Sequence, residues 1–290
     1  MSTYTNKIGK GYIVCSTFIS TAIIFLILIV LFLNSYDAVR DVGWDLFSLT
    51  WNPPAARFGI LPMFYGSVVV TVLSLGIAAP LGIFAAIFTS EILSPKYRIY
   101  VKSCLEVLAG IPSVIYGLIG VAFLSVWIGE WFHLQSGRTF FTAAILLSIM
   151  VLPTIITLCD DAFHNVPQKY REAAKGLGLY KHEVITGSVL PIAKTDIVGA
   201  VLLALGRALG ETMAVMLVIG SIDKIPSPVY NLLTPGQTIT SKLGREIAES
   251  AFGSLHFAVM IFMGIVLLTL VLGLTFIAQQ CFKPGQRLYE

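Results

Sequence analysis

Five stretches of this chain run for twenty residues or more without a charged side chain: Tyr12 to Asn34, a stretch within Phe58 to Ser90, Val107 to Gly129, Thr139 to Cys159, and a stretch within Ser250 to Phe282. A helix needs about 20 mostly apolar residues to cross a hydrocarbon core. Lipid offers no water to backbone amides, so only helices and closed barrels cross it, and unbroken apolar runs lack the alternation of barrel strands. A sixth run, Ile197 to Gly220, is apolar but carries Arg207 and Glu211. The expected fold is an all-α membrane protein of six transmembrane helices. Only 12% of residues are charged, against about 25% in a soluble domain.

Short cytoplasmic loops hold the excess of Lys and Arg. With the N-terminus inside, the cytoplasmic segments hold Lys7, Lys10, Lys96, Arg98, Lys102, Lys169, Arg171, Lys175, Lys181, Lys194, Lys283 and Arg287, twelve in all. The outer segments hold six, namely Arg40, Arg57, Arg138, Lys224, Lys242 and Arg245. Both termini and the loop at about 160–191 are therefore expected in the cytoplasm, in a multi-pass membrane protein. The first run, 23 residues with no Ala-x-Ala-like site after it, exceeds a signal peptide's apolar region and is read as a membrane anchor.

The formal charge of +3 follows from this topology, and no basic stripe with interleaved aromatics points to nucleic acid. Cys15, Cys104, Cys159 and Cys281 have no metal or redox spacing and are read as packing residues; the four histidines are scattered, so no metal site is expected.

Residues 1–57 read as an anchor helix and an outer loop, and 58–290 as the main transmembrane domain. The outer loop, with Trp44, Trp51 and Pro53-Pro54, suits either a lipid-headgroup interface or an ordered cap. Residues 221–249 either meet an extracytoplasmic partner or simply connect spans. Gly110 and Pro112, followed by Ser113, should bend or break the third span, and such breaks line cavities or serve packing alone. Glu106 is expected to pair with Lys102 in solvent, and Asp160-Asp161 to be ordinary solvated charges at a helix end. Short loops are expected near Ser94-Pro95-Lys96 and near Gln135-Ser136-Gly137.

Between the fourth and fifth spans lies a polar stretch. Asn165 and Pro167 can start a short helix through Tyr170-Arg171-Glu172-Ala173-Ala174, Gly176 and Gly178 end it, and a second helix from about Tyr180 leads to Leu190-Pro191. Taken on these residues, the unit is a helix, a glycine bend and a helix at the membrane face. It resembles the coupling loop of bacterial ABC importer permeases, with Ser188 where that family often has Ile. The resemblance implies docking onto a separate ATPase through Glu172, Ala173, Ala174 and Gly178, small side chains allowing close approach and the glycine allowing the bend.

Arg207 and Glu211 stand four apart and can pair on one helical face, while Gly206 and Gly210 permit close approach of a neighbour. A charge at mid-membrane costs on the order of 3 kcal/mol and should not face lipid. Such a pair either fixes packing or contacts an anion along a pathway, since guanidinium offers a planar fork of donors to oxyanions. The run Gly206-Arg207-Ala208-Leu209-Gly210-Glu211-Thr212-Met213-Ala214-Val215, together with Ala109-Gly110-Ile111-Pro112-Ser113 and Tyr170 to Ala174, resembles the PstC type of phosphate permease in the type I ABC importer family. The continuation after Thr212 favours PstC over PstA.

That resemblance implies a phosphate importer of a bacterial inner membrane in which Arg207, Glu211 and Thr212 line the substrate path. The implied assembly pairs this chain with a PstA-type permease, two PstB-type ATPases holding ATP and Mg, and a PstS-type phosphate-binding protein. No cofactor is expected in this chain, which lacks the Gly-x-x-x-x-Gly-Lys-Ser/Thr pattern of an ATPase. Other readings are a permease for molybdate, tungstate or sulfate, an ion-coupled carrier with Glu211 bearing the proton, and, weaker, an intramembrane enzyme.

Overall fold

The computed structural model describes residues 2–281, with backbone alone for 2–11, 278, 279 and 281. Lys283 and Arg287, assigned above to the cytoplasmic side, lie outside the described residues. Six helical segments are long and apolar enough to span a membrane: Tyr12–Phe47, Leu61–Ile92, Ser113–Trp131, Phe140–His164, Lys181–Gly210 and Leu255–Ile277.

Helix α1 (Ser2–Asp37) packs on the last helix of the chain and leaves large apolar side chains such as Phe18, Phe25 and Leu33 exposed around it. After it, strands β1 (Trp51–Asn52) and β2 (Arg57–Phe58) pair antiparallel, with Trp51 opposite Phe58. This outer segment is ordered by burial. Leu46, Phe58 and Ile60 join Met63, Ile239 and Met260 in a small second core, while Trp44 stays exposed at a place suited to a headgroup layer.

The main core is built around α6 (Phe140–His164), flanked by α2 (Leu61–Ile87) and α9 (Leu190–Gly210). On α6, Ala143, Leu147, Val151, Ile155, Cys159 and Phe163 are buried at four-residue spacing. Helix α2 answers with Gly66, Val70, Ser74, Ala78, Gly82 and Ala86 at the same spacing, and α9 with Ala193, Ala200, Ala204 and Ala208. Within lipid, helices gain little from burying apolar area against each other, and close backbone approach through small residues carries the association. A Cβ at Gly82 would come within 2.6 Å of Ile155 Cγ2, whereas one at Gly76 would meet nothing within 4 Å. Gly82→Leu is therefore expected to destabilise the detergent-solubilised protein by about 1–3 kcal/mol through overpacking. Thermal unfolding should show that loss while Gly76→Leu shows none.

Several expectations are corrected here. The third span is Ser113–Trp131, and what precedes it is a separate helix, α3 (Pro95–Ala109), in place of a short loop near Ser94-Pro95-Lys96. Pro95 at its first position starts that helix, and its side chains are exposed or half-buried. Lys102 pairs with Asp161 at 2.7 Å rather than with Glu106. Asp160 is buried, its carboxylate receiving Arg98 Nη2 at 2.7 Å and Thr89 Oγ1 at 3.0 Å, so it is no ordinary solvated charge. Antiparallel packing of α3 on α6 brings these groups together, which local spacing cannot reveal. Of the cysteines, Cys159 is buried in the core, but Cys15 and Cys104 are exposed.

Candidate functional site

Two helix breaks meet beside the middle of α6. The first separates α3 from α4 (Ser113–Ile119) at Gly110–Pro112, where Pro112 takes an extended backbone with φ −56° and ψ 134°. The second separates α9 from α10 (Met213–Val218) at Glu211 and Thr212, with Glu211 at φ −69° and ψ 119°. Helices α4 and α10 cross closely because Gly117 has no side chain: a Cβ there would sit 3.0 Å from Ala214 Cα and 2.7 Å from Leu217 Cδ1.

Arg207, in the last turn of α9, joins the two breaks. Its Nη1 donates to Thr154 Oγ1 at 2.9 Å and its Nη2 to the Ala109 carbonyl at 3.4 Å. Ala109 ends α3, so the cation compensates the carbonyl-rich ends of two helices at once. Thr154 is six residues before Asp160, and Arg207 eleven after Asp196, which at 1.5 Å per residue places the guanidinium about 9 and 16 Å inside those charged levels.

The expected pair between Arg207 and Glu211 does not form. An i, i+4 pair requires an unbroken helix, and the extended backbone at Glu211 turns its carboxylate the other way, where it accepts the Ala214 N–H at 3.2 Å and caps α10. The Glu211 carbonyl accepts Thr240 Oγ1 at 2.9 Å, and Thr212 Oγ1 donates to the Gly210 carbonyl at 3.3 Å. Arg207 thus has five N–H donors, of which two are engaged among the described residues. Gly206 and Gly210 face open space, with nothing within 4 Å of an added Cβ. Opened backbone and a charge at this depth are tolerated only against protein or water, so this face borders a partner or an aqueous path. Thr154, which follows Pro153 in α6, was legible as a mid-span hydroxyl but not as the holder of Arg207.

At the other end of α6, helix α7 (Gln168–Gly176) lies across the bundle, and Gly178 makes the bend after it with φ +79°, a conformation glycine adopts freely. Glu172, Ala173 and Gly178 are exposed. Ala174, expected to dock outward, is instead buried against the chain's own core. The second helix also differs: α8 (Lys181–Val184) does not stop at Leu190-Pro191 but runs through one π turn, Ile185–Val189, into α9. The Tyr180 N–H donates to Glu183 Oε2 at 2.7 Å, fixing its start. Arg171, which spacing alone did not single out, anchors the unit. Its Nη2 donates to Glu91 Oε1 at 2.6 Å and to the Phe163 carbonyl at 2.7 Å, and its Nη1 to the Val166 carbonyl at 2.5 Å. No group of three or more metal-ligating side chains occurs among the described residues.

Comparison with known proteins places this arrangement. Residues 78–287 match the family described as binding-protein-dependent transport system inner membrane component. The phosphate transport system permease protein PstC of Mesorhizobium japonicum is 37% identical over 257 residues, covering 82% of this chain and 77% of that one. PstC of Pasteurella multocida is 36% identical over 238 residues, 75% of this chain and 73% of that one. The probable ABC transporter permease protein YqgH of Bacillus subtilis is 37% identical over 227 residues, 78% and 72% of the two chains. Among solved structures, a chain of a bacterial ABC transporter involved in import of the acidic polysaccharide alginate superposes with TM-score 0.59 at 16% identity, over 93% of this chain and 96% of that one. A chain of the MetNI methionine ABC transporter in an inward facing conformation gives 0.56 at 17%, over 77% and 93%. These two speak to the fold, that of a type I ABC importer permease. The chain belongs to the binding-protein-dependent transport system inner membrane component family, and its relatives within it include PstC-type permeases.

Proposed function

We propose that this chain is the permease subunit of an ATP-driven inorganic phosphate importer and forms half of its translocation path. The observation that carries the reading is Arg207: a guanidinium inside the membrane, held at two helix breaks with no carboxylate partner among the described residues and two of its five donors engaged there. A partly hydrated tetrahedral oxyanion is the ligand that such a planar fork suits, and the PstC relatives transport phosphate by name. Glu211, spent on capping α10, holds the break open instead of neutralising the arginine. The exposed Glu172, Ala173 and Gly178 of the coupling loop would meet the ATPase.

The assembly in this reading contains a PstA-type permease, two PstB-type ATPases that bind ATP and Mg, and a PstS-type phosphate-binding protein. Both termini and the coupling loop face the cytoplasm, in keeping with twelve basic residues against six. Competitive uptake tests this. Cells lacking only this chain, with and without its re-expression, take up labelled phosphate in the presence of excess sulfate, excess molybdate or a proton uncoupler. Restored uptake that survives both competitors and, at maintained ATP, the uncoupler is the expected result. Uptake abolished by the uncoupler would make the protein an ion-coupled carrier, and competition by sulfate or molybdate would reassign the substrate.

A further inference from the structure

Four basic side chains are ion-paired: Arg98 with Asp160, Lys102 with Asp161, Arg171 with Glu91, and Lys242 with both Asp223 and Glu246. Arg138 and Arg245 have no carboxylate partner among the described residues. Both line one open cavity of about 410 Å³ at the end of the bundle opposite the coupling loop. Other basic side chains, such as Arg40, Arg57, Lys96 and Lys224, are also without an ion pair among the described residues; what sets Arg138 and Arg245 apart is that they share this lining.

The cavity is built, not incidental. Its back is the turn after α10, where Gly220 has φ +92° and Ser221, a residue with a Cβ, is held at φ +61°. Such an outlier persists only where its surroundings impose it. Here the Gly236 N–H donates to the Ile219 carbonyl at 2.9 Å and the Ile222 N–H to the Gly236 carbonyl at 3.0 Å. Gly220 lets the Arg138 segment come close, since a Cβ there would be 2.8 Å from the Arg138 carbonyl. The Ser221 hydroxyl accepts from Arg245 Nη2 and so orients that guanidinium. Arg245 lies on α11 (Ile239–Glu246), and the wall toward the membrane interior is Met216 of α10 with Gly244 of α11. Gly244 in turn abuts Thr212, whose Cγ2 would be 2.6 Å from an added Cβ. One packed layer, the contact of Gly244 with Thr212, therefore separates the cavity from the break beyond Arg207.

We propose that this cavity is a receiving site, in which Arg138 and Arg245 take hold of a tetrahedral oxyanion, inorganic phosphate, before it passes Thr212 to Arg207; the proposal rests on the importer reading above. Two cations without counter-carboxylates in one concavity raise the local anion concentration. Their forked donors match oxyanion geometry better than ammonium groups would. The volume, at roughly 30 Å³ per water, leaves room for the ion and part of its hydration shell. Its open mouth suits transfer onward rather than retention. Glu130 and His133 line the adjoining cavity with Arg138 but form no ion pair with it.

The test uses the whole complex in proteoliposomes, with labelled phosphate delivered by its loaded binding protein and ATP hydrolysis recorded in parallel. Arg138→Gln/Arg245→Gln is expected to keep stimulation of hydrolysis by the loaded binding protein while phosphate moved per ATP falls about tenfold, the loss of charge-assisted contacts. Unchanged phosphate per ATP overturns the site. Loss of the stimulation also overturns it, because the arginines would then dock the binding protein rather than hold its cargo. If the pair inserts poorly, the single variants decide: each should lose part of the effect, and wild-type values in both overturn the proposal. A wild-type complex that moves no phosphate overturns the importer reading and this site with it, whereas a competent wild type with an unaffected variant overturns the site alone.

Discussion

Arg207→Gln is expected to insert at wild-type levels and to lose phosphate uptake by roughly 10- to 150-fold, the equivalent of the 1.5–3 kcal/mol typical of a hydrogen bond to a charged group. Gln keeps a donor for Thr154 Oγ1 or for the Ala109 carbonyl, so the two breaks retain a bridge while the charge is gone. Thr154→Val separates holding from binding. It removes one support of the guanidinium, leaves the charge in place, and should cost only a few-fold. Glu211→Gln should be milder still, since an amide oxygen also accepts the Ala214 N–H. The measurement is ATP-dependent uptake in proteoliposomes normalised to inserted permease. Normal uptake by Arg207→Gln would reduce Arg207 to a packing bolt between α3, α6 and α9, and the case for an anion path through these breaks would fall.

How far the site was legible depends on the range of the interaction. Apolar runs and small residues four apart are local, so the spans and the close face of α2 could be read directly, as could the break at Gly110–Pro112. The i, i+4 geometry of Arg207 and Glu211 is also local, and it misled because a break at Glu211 has no proline to announce it. Gly210 ends α9 and Glu211 caps α10 from outside the helix, a choice that depends on α4 and α11 packing against both sides. Thr154, Asp160 and Arg171 acquire their roles only when α6 and α7 meet α9, α3 and the end of α2. Ala174 was misassigned for the same reason: a small residue at a docking helix serves whichever face is covered, and here its own chain covers it.

The second large effect is expected at Arg171. This side chain and Glu91 are only 11% and 10% exposed, and removing one partner of a nearly buried, hydrogen-bonded ion pair costs about 3–5 kcal/mol. Arg171→Met strips Glu91 of its cation and the Phe163 and Val166 carbonyls of a charged donor. These groups sit at the ends of α2 and α6, the same layer in which Asp160 and Asp161 hold Arg98 and Lys102 of α3. Helix α3 then ends at Ala109, whose carbonyl accepts from Arg207. In the proposed assembly, a displacement of α7 by the ATPase would reach the two helix breaks through ionic contacts and one rigid helix, in parallel with the continuous run from α8 into α9. Arg171→Met should retain ATP hydrolysis in the assembled complex while phosphate moved per ATP falls at least tenfold, and Arg171→Lys, which keeps charge but not the fork, should fall between. If stably inserted Arg171→Met moves as much phosphate per ATP as wild type, the signal travels through α8 and α9, and the ion-pair layer only holds the bundle together.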